Sequence, residues 1–137
     1  MVTKSIEKTS EILVVTKNNF GTLAGITSSF ATGNIGITCF TGYEWNGEAA
    51  FRFVTNNNRK ACDILKSYGY TVYENPVAVW YTDNSPTQMK NATTALAEAK
   101  VNTHCMYTTS VPNSNSTVMV FNTNNVDRTI TVLNSLC

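Results

Sequence analysis

His104 is the only histidine of the chain, and Cys105 follows it directly. An imidazole beside a thiol is the pairing of a metal ligand set, or of a nucleophile with its base. The segment around them reads as a strand, however, and neighbouring strand residues point to opposite faces, so the two groups do not converge. His104 is expected at a surface or interface. Cys39, Cys62, Cys105 and Cys137 stand far apart, without the short paired spacings of zinc knuckles or disulfide scaffolds, and are expected as reduced thiols. Cys39 and Cys105 occupy equivalent alternating positions where a free cysteine acts as a small buried hydrophobe, the alternative being a redox pair. Asp63, Glu98 and Asp127 fall within helical segments as solvated carboxylates. There is no carboxylate pair, glycine-rich phosphate loop or serine elbow. The expectation is a protein that is no enzyme, with no catalytic residues, no metal site and no cofactor.

Composition narrows the classes further. Of 137 residues, 42% are hydrophobic and only 14% charged, with a formal net charge of +1; about 25% charged is usual. Asn, Thr and Ser take the place of the missing charges. So weak a field disfavours nonspecific nucleic-acid binding. No stretch approaches the roughly 20 apolar residues of a membrane span, and MVTKSIEKTSE holds no apolar run that would serve as a secretory signal. A cytoplasmic protein that binds neither nucleic acid nor membrane is expected.

The elements that position any site come from an internal repeat. Residues 17–40 laid over 83–106, an offset of 66, pair Leu23 with Met89, Phe30 with Leu96, Ala31 with Ala97, Ile35 with Val101 and Cys39 with Cys105. Farther on, Asn56, Ile64 and Leu65 match Asn124, Val132 and Leu133 at an offset of 68, the two extra residues falling in a hairpin region where insertion is tolerated. Such a repeat is one supersecondary unit used twice.

Each copy reads as strand, helix, strand, strand, helix. Ile12 to Thr16 is a β-branched strand, and Leu23, Ile26 and Phe30 follow at helical spacing up to Gly33, placed to end the helix. Ile35, Ile37 and Cys39 alternate, Asn46-Gly47 offers a tight hairpin turn, and Phe51 and Phe53 alternate on the return. Ala61, Ile64, Leu65 and Tyr68 form a second helical stripe closed by Gly69. The second copy predicts elements at Val77 to Tyr81, Met89 to Ala99, Val101 to Thr109, Thr117 to Asn122 and Val126 to Leu136. The class is α+β: a ferredoxin-like, split-βαβ plan of two βαββαβ repeats, with antiparallel sheets and helices on one face. Residues 1–74 form the first repeat with an N-terminal extension and residues 75–137 the second, with a break expected at Asn75-Pro76. The second repeat lacks its last strand. The edge this leaves is expected to be covered by a second copy of the chain, making a homodimer; the alternative cover is the segment Thr3 to Glu11.

Nearly the whole chain, from about residue 11 onward, resembles the ACT domain, specifically the small tandem-ACT proteins of prokaryotes. The family pattern is an apolar strand, a loop like D-x-x-P-G-x-L opening a helix, and a G-I-N-I-like start to the second strand. Lys17-Asn18-Asn19-Phe20-Gly21-Thr22-Leu23 keeps the glycine and leucine, and Asp83-Asn84-Ser85-Pro86-Thr87-Gln88-Met89 keeps the aspartate and proline. Asn34-Ile35-Gly36-Ile37 and Lys100-Val101-Asn102-Thr103 resemble the strand start. The resemblance implies a regulatory or sensory module that binds a small molecule, an amino acid in particular, between a strand-helix loop and the second strand of a neighbouring unit. The implied ligand residues are Asn18, Asn19, Gly21, Thr22 and Leu23 with Asn102 and His104 opposite, or Asn84, Ser85, Thr87, Gln88 and Met89 with Gly36 and Thr38 opposite. Unpaired amides at a helix start suit a carboxylate, and Gly21 lets it approach.

Two other classes share the plan. One is a structural dimerisation module that binds no ligand, favoured by the half-motif in each loop. The other is an RNA-recognition motif, suggested by Ala50-Phe51-Arg52-Phe53-Val54, although the Lys/Arg-Gly pair before it and an aromatic within Ile12 to Val15 are missing. With no effector domain expected in the chain, a signal would pass to a separate effector protein.

Overall fold

In the computed structural model, residues 5–136 are described; Cys137 and residues 1–4, including Thr3 of the expected edge cover, lie outside them. The described residues form β1 (Ser5–Lys17), α1 (Thr22–Thr32), β2 (Ile37–Trp45), β3 (Glu48–Thr55), α2 (Asn58–Ser67), β4 (Val72–Asp83), α3 (Pro86–Glu98), β5 (Thr103–Ser110), β6 (Ser116–Thr123) and α4 (Val126–Asn134). The α+β split-βαβ plan is therefore present twice.

The chain divides into two compact units. The first is Ser10–Asn75, and the second joins residues 76–136 to the described residues 5–9. In the first unit, antiparallel strands run in the order β2-β3-β1, with the first residues of β4 beyond β1. In the second the order is β5-β6-β4, with the opening residues of β1 beyond β4. Each unit thus has the four strands that a split βαβ needs, and two of the strands are shared out between units.

This arrangement revises two expectations and bears out a third. The N-terminal extension groups with the second repeat rather than the first. Residues 5–9 take the place of the strand that the second repeat lacks: Ile6 packs on that unit's core, and Lys8 pairs with Asp127 at 2.8 Å. The open edge that called for a partner subunit is accordingly filled from within the chain. The expected break does fall at Asn75-Pro76, where the first unit ends and the second resumes, although β4 runs on through it as one strand. Pro76 removes one donor, but an exposed strand position tolerates that.

Each core forms on the helix side of its strands. In the first unit Ile12, Val14, Phe51 and Phe53 meet Ile26, Phe30, Ala61 and Leu65. In the second, Ala78, Trp80, Met119 and Phe121 meet Ala92, Leu96, Val126 and Leu133. The period-2 alternation and the helical stripes read from the sequence supply these residues.

The repeat extends to the details of the backbone. Cys39 and Cys105 each follow a register irregularity at the start of the equivalent strand. The amide of Gly36 donates to Asn56 Oδ1 at 3.0 Å and the amide of Asn102 to Asn124 Oδ1 at 3.0 Å. Helices α1, α2 and α3 end in the same double-bonded turn, with Asn34, Gly69 and Lys100 at φ 57°, 85° and 58°. Gly33 ends α1 as expected, as its C-cap, with φ −81° rather than a left-handed angle, and lies against Ile64, whose Cδ1 is 2.7 Å from where a Cβ would stand. Among the described residues no helix is long and apolar enough to cross a membrane.

Candidate ligand-binding site

The two strand-helix loops carry complementary halves of a binding site. In the first unit α1 opens at Gly21, which has φ 83° and provides no side-chain cap. The amide of Thr22 makes only a 3.4 Å bond to Asn19 O, and nothing caps the next amides of the turn. A left-handed Ncap leaves those donors outward, at the positive end of the helix. The sheet face of this unit carries rings, however. Phe40 and Phe53 stack at a centroid distance of 5.0 Å, Phe51 lies beside them, and Gly42 brings Phe51 Cδ1 to 2.8 Å from a Cβ position. Asn18 is engaged within the chain: its Nδ2 donates to Glu44 Oε2 at 2.7 Å, and Glu44 stands at the position of Ser110 in the repeat. Asn19 is exposed, while Thr22 and Leu23 are half-buried, Leu23 against the core.

The second unit shows the reverse. A cavity of about 220 Å³ opens between the loop and the β5–β6 hairpin, lined by Asn84, Ser85, Pro86, Met89, Thr108, Ser110, Thr117 and Met119. At the positions of Phe51 and Gly42 stand Met119 and Thr108, so the space holds a thioether and a hydroxyl instead of a ring. Thr117, 3% exposed, donates from Oγ1 to Thr109 O at 3.1 Å. Its oxygen then accepts from Ser110 Oγ at 2.7 Å and Thr108 Oγ1 at 3.1 Å. Those two hydroxyls can rotate toward a guest, because each is held only by that one shared acceptor. Among the described residues no Lys, Arg, Asp or Glu lines the cavity.

The helix amides on this side are already used. Pro86 has no N–H, Thr87 N donates to Ser85 Oγ at 3.2 Å, and Gln88 N and Met89 N donate to Ser85 O at 3.1 and 3.4 Å. Gln88 is also turned inward, its Nε2 donating to the buried Thr82 Oγ1 at 2.9 Å. Thr87 is exposed.

Of the residues singled out in the sequence, the structure therefore gathers Asn84, Ser85 and Met89 around one cavity. Gly36 and Thr38 belong to the first unit, Asn102 and His104 to the second, and all four are exposed. The hydroxyls of Thr108, Ser110 and Thr117 were missed. The alternation of Thr108 and Ser110 on a predicted strand was the available signal.

The cysteines supply no chemistry here. Cys39 and Cys62 are buried and Cys105 is half-buried. Burial pushes the Cys62 thiol up to about 11, aided by its 3.4 Å hydrogen bond to Glu74 and by that carboxylate's charge. Among the described residues no cluster of three His, Cys, Asp or Glu side chains is placed to hold a metal ion.

Comparison with known proteins places this geometry. The fold is similar to protein BT0572 from Bacteroides thetaiotaomicron, with a TM-score of 0.86, 22% identity, and coverage of 95% of this chain and 89% of that one. It is also similar to the regulatory subunit of aspartate kinase from Thermus thermophilus, with a TM-score of 0.71, 12% identity, and coverage of 98% of both chains. A third similar structure is the aspartate kinase of Clostridium acetobutylicum, at a TM-score of 0.60 and 13% identity, where 98% of this chain spans 34% of that one. No curated protein matches the sequence. The model of the ACT domain pair matches residues 8–136, nearly the whole chain, and the chain therefore belongs to the family of paired ACT domains.

Proposed function

We propose that this chain is a regulatory or sensory module, not an enzyme, and that it binds a small polar molecule, an amino acid, in the cavity of its second unit. Membership of the ACT family and likeness to a regulatory subunit support the regulatory class. The observation that carries the choice of site is the 220 Å³ cavity at the strand-helix loop, where the other unit has aromatic rings. Hydroxyls of Thr108 and Ser110, rather than helix amides, receive the polar end of the ligand, and Met89 and Met119 receive its carbon chain. The signal then passes to a separate effector protein in the cytoplasm.

A thermal-shift screen of the twenty amino acids tests this reading. A ligand at a hundred times its Kd stabilises by about 2.7 kcal/mol. The double variant Met119→Phe with Thr108→Gly copies the packing of Phe51 against Gly42 and fills the cavity. At least one amino acid should raise the melting temperature of the wild type and not of the variant. No response, or an equal response in both, would overturn the proposal.

We further propose that the chain pairs with a second copy. The support is now β5, the outer strand of its unit, whose sequence THCMYTTS carries no Lys, Arg, Asp or Glu to repel a partner. Light scattering at micromolar concentration should give twice the 15.0 kDa chain mass, and a mass of one chain would refute pairing.

A further inference from the structure

A larger cavity, of about 390 Å³, lies in the first unit against the β2–β3 hairpin, lined by Val15, Tyr43, Trp45, Glu48, Ala49 and Ala50. Its volume falls within the range of small-molecule sites. Register explains its shape. Val15 and Tyr43 flank Ala50 on neighbouring strands, and Trp45 faces Glu48 across the turn, so small side chains form the floor and two aromatics a wall. The hairpin is held in place from outside. Asn46 and Gly47 have φ 52° and 80°, as a two-residue turn requires, and Asn18 N donates to Gly47 O at 3.3 Å.

Two features of the lining are open to a guest. Trp45 is 72% exposed and Tyr43 45%, though both line the cavity. The exposed carboxylate of Glu48 makes no side-chain hydrogen bond or ion pair among the described residues, even though Lys17 stands opposite it in register. The other cation on this side, Arg52, bonds Tyr43 Oη at 3.4 Å through Nε, but its charge is already matched by Glu11 at 2.7 Å. Among the described residues Glu48 is the only charged group in the lining.

We propose that this cavity is a second binding site, for an organic ammonium. A cation lying over the faces of Trp45 and Tyr43 is attracted by their ring quadrupoles, and Glu48 supplies the opposite charge at the rim. The site lies in the other unit from the amino-acid cavity and shares no residue with it, so the two stand or fall separately.

The two tryptophans make the test direct. Trp80 is fully buried in the second unit, so a ligand-dependent change in fluorescence reports Trp45. Choline is the probe, and 3,3-dimethylbutanol, of the same shape without the charge, is its control. Choline should quench Trp45 saturably and the alcohol should not. Saturation transfer to the choline methyl protons should vanish in Trp45→Leu, an exposed substitution that leaves the core intact. Glu48→Gln should weaken binding about threefold, as expected for a rim charge. Equal quenching by the alcohol would overturn the proposal in favour of an apolar slot. Burial of Trp45 that rises with protein concentration without choline would assign the face to a second copy, and the absence of any saturable response would leave no ammonium site.

Discussion

Replacing Arg52 by methionine removes the partner of a carboxylate that has no path to water. Glu11 is fully buried, and its Oε2 accepts from Arg52 NH1 at 2.7 Å and from Asn75 Nδ2 at 3.4 Å. The guanidinium is 14% exposed, so the two halves of the pair are not equivalent. Without Glu11, Arg52 can turn part of its fork to solvent; without Arg52, the Glu11 carboxyl stays in the interior without its ion pair. Removing one partner of a buried pair typically costs about 3–5 kcal/mol, against about 0–1 kcal/mol for a surface pair. At this chain length 1 kcal/mol corresponds to roughly 3–4 °C, so Arg52→Met should lower the melting temperature by about 10–20 °C. Glu11→Leu should cost less, and the double variant should recover most of the loss, since an apolar pair of similar volume replaces the ions well. Urea denaturation of the four proteins of the cycle measures this. A loss below about 1 kcal/mol for Arg52→Met would refute the reasoning, because the pair would then behave as if it were on the surface.

Three further outcomes follow from the fold. Lys100 has φ 58° at the end of α3, so Lys100→Gly should stabilise by about 0.5–1 kcal/mol in the same urea assay, and a loss of stability would show that its side chain contributes more than its backbone costs. The Cys62 thiol has a folded value of about 11 against 9.0 for a free one. Above pH 9 the unfolded chain gives up a proton that the native state keeps, so this contribution is complete below about pH 9 and is lost by about pH 11; Cys62→Ala should flatten that part of the stability–pH curve. A chain beginning at Ser10 should exchange the amides of β4 after Pro76 faster while those of β3 keep their protection, and uniform protection would contradict the role given to residues 5–9.

Local chemistry was legible, whereas the sharing of β1 was read only as the alternative to a partner subunit. The offset of 66 is visible because both copies must close a helix against the same strand, through Phe30 and Ile35 in one and Leu96 and Val101 in the other. Asn46-Gly47 announces its turn because only such residues accept two positive φ angles in succession. Ser5 to Ser10 gave no such sign. They are mostly polar and solvent-facing, and only Ile6 touches a core, so no alternation marked them as a strand. The loop residues Asn84, Ser85 and Met89 were legible from their place before a helix. The hydroxyls facing them were not, because the face that Thr108 and Ser110 present depends on the irregularity between Thr103 and Cys105. Nor could spacing alone show that Ser85 consumes the helix amides, since that depends on which way its own side chain and carbonyl point.

The central claim concerns the cavity of the second unit, and a crystal structure grown with the amino acid that shifts the melting temperature tests it most directly. Density for the ligand between Asn84, Ser85, Thr108, Ser110 and Met119, with at least one of the two hydroxyls turned away from Thr117 and onto the ligand, is the predicted result. Ligand density beneath the first loop at Gly21, or an empty cavity with the hydroxyls of Thr108 and Ser110 still on Thr117, would contradict it.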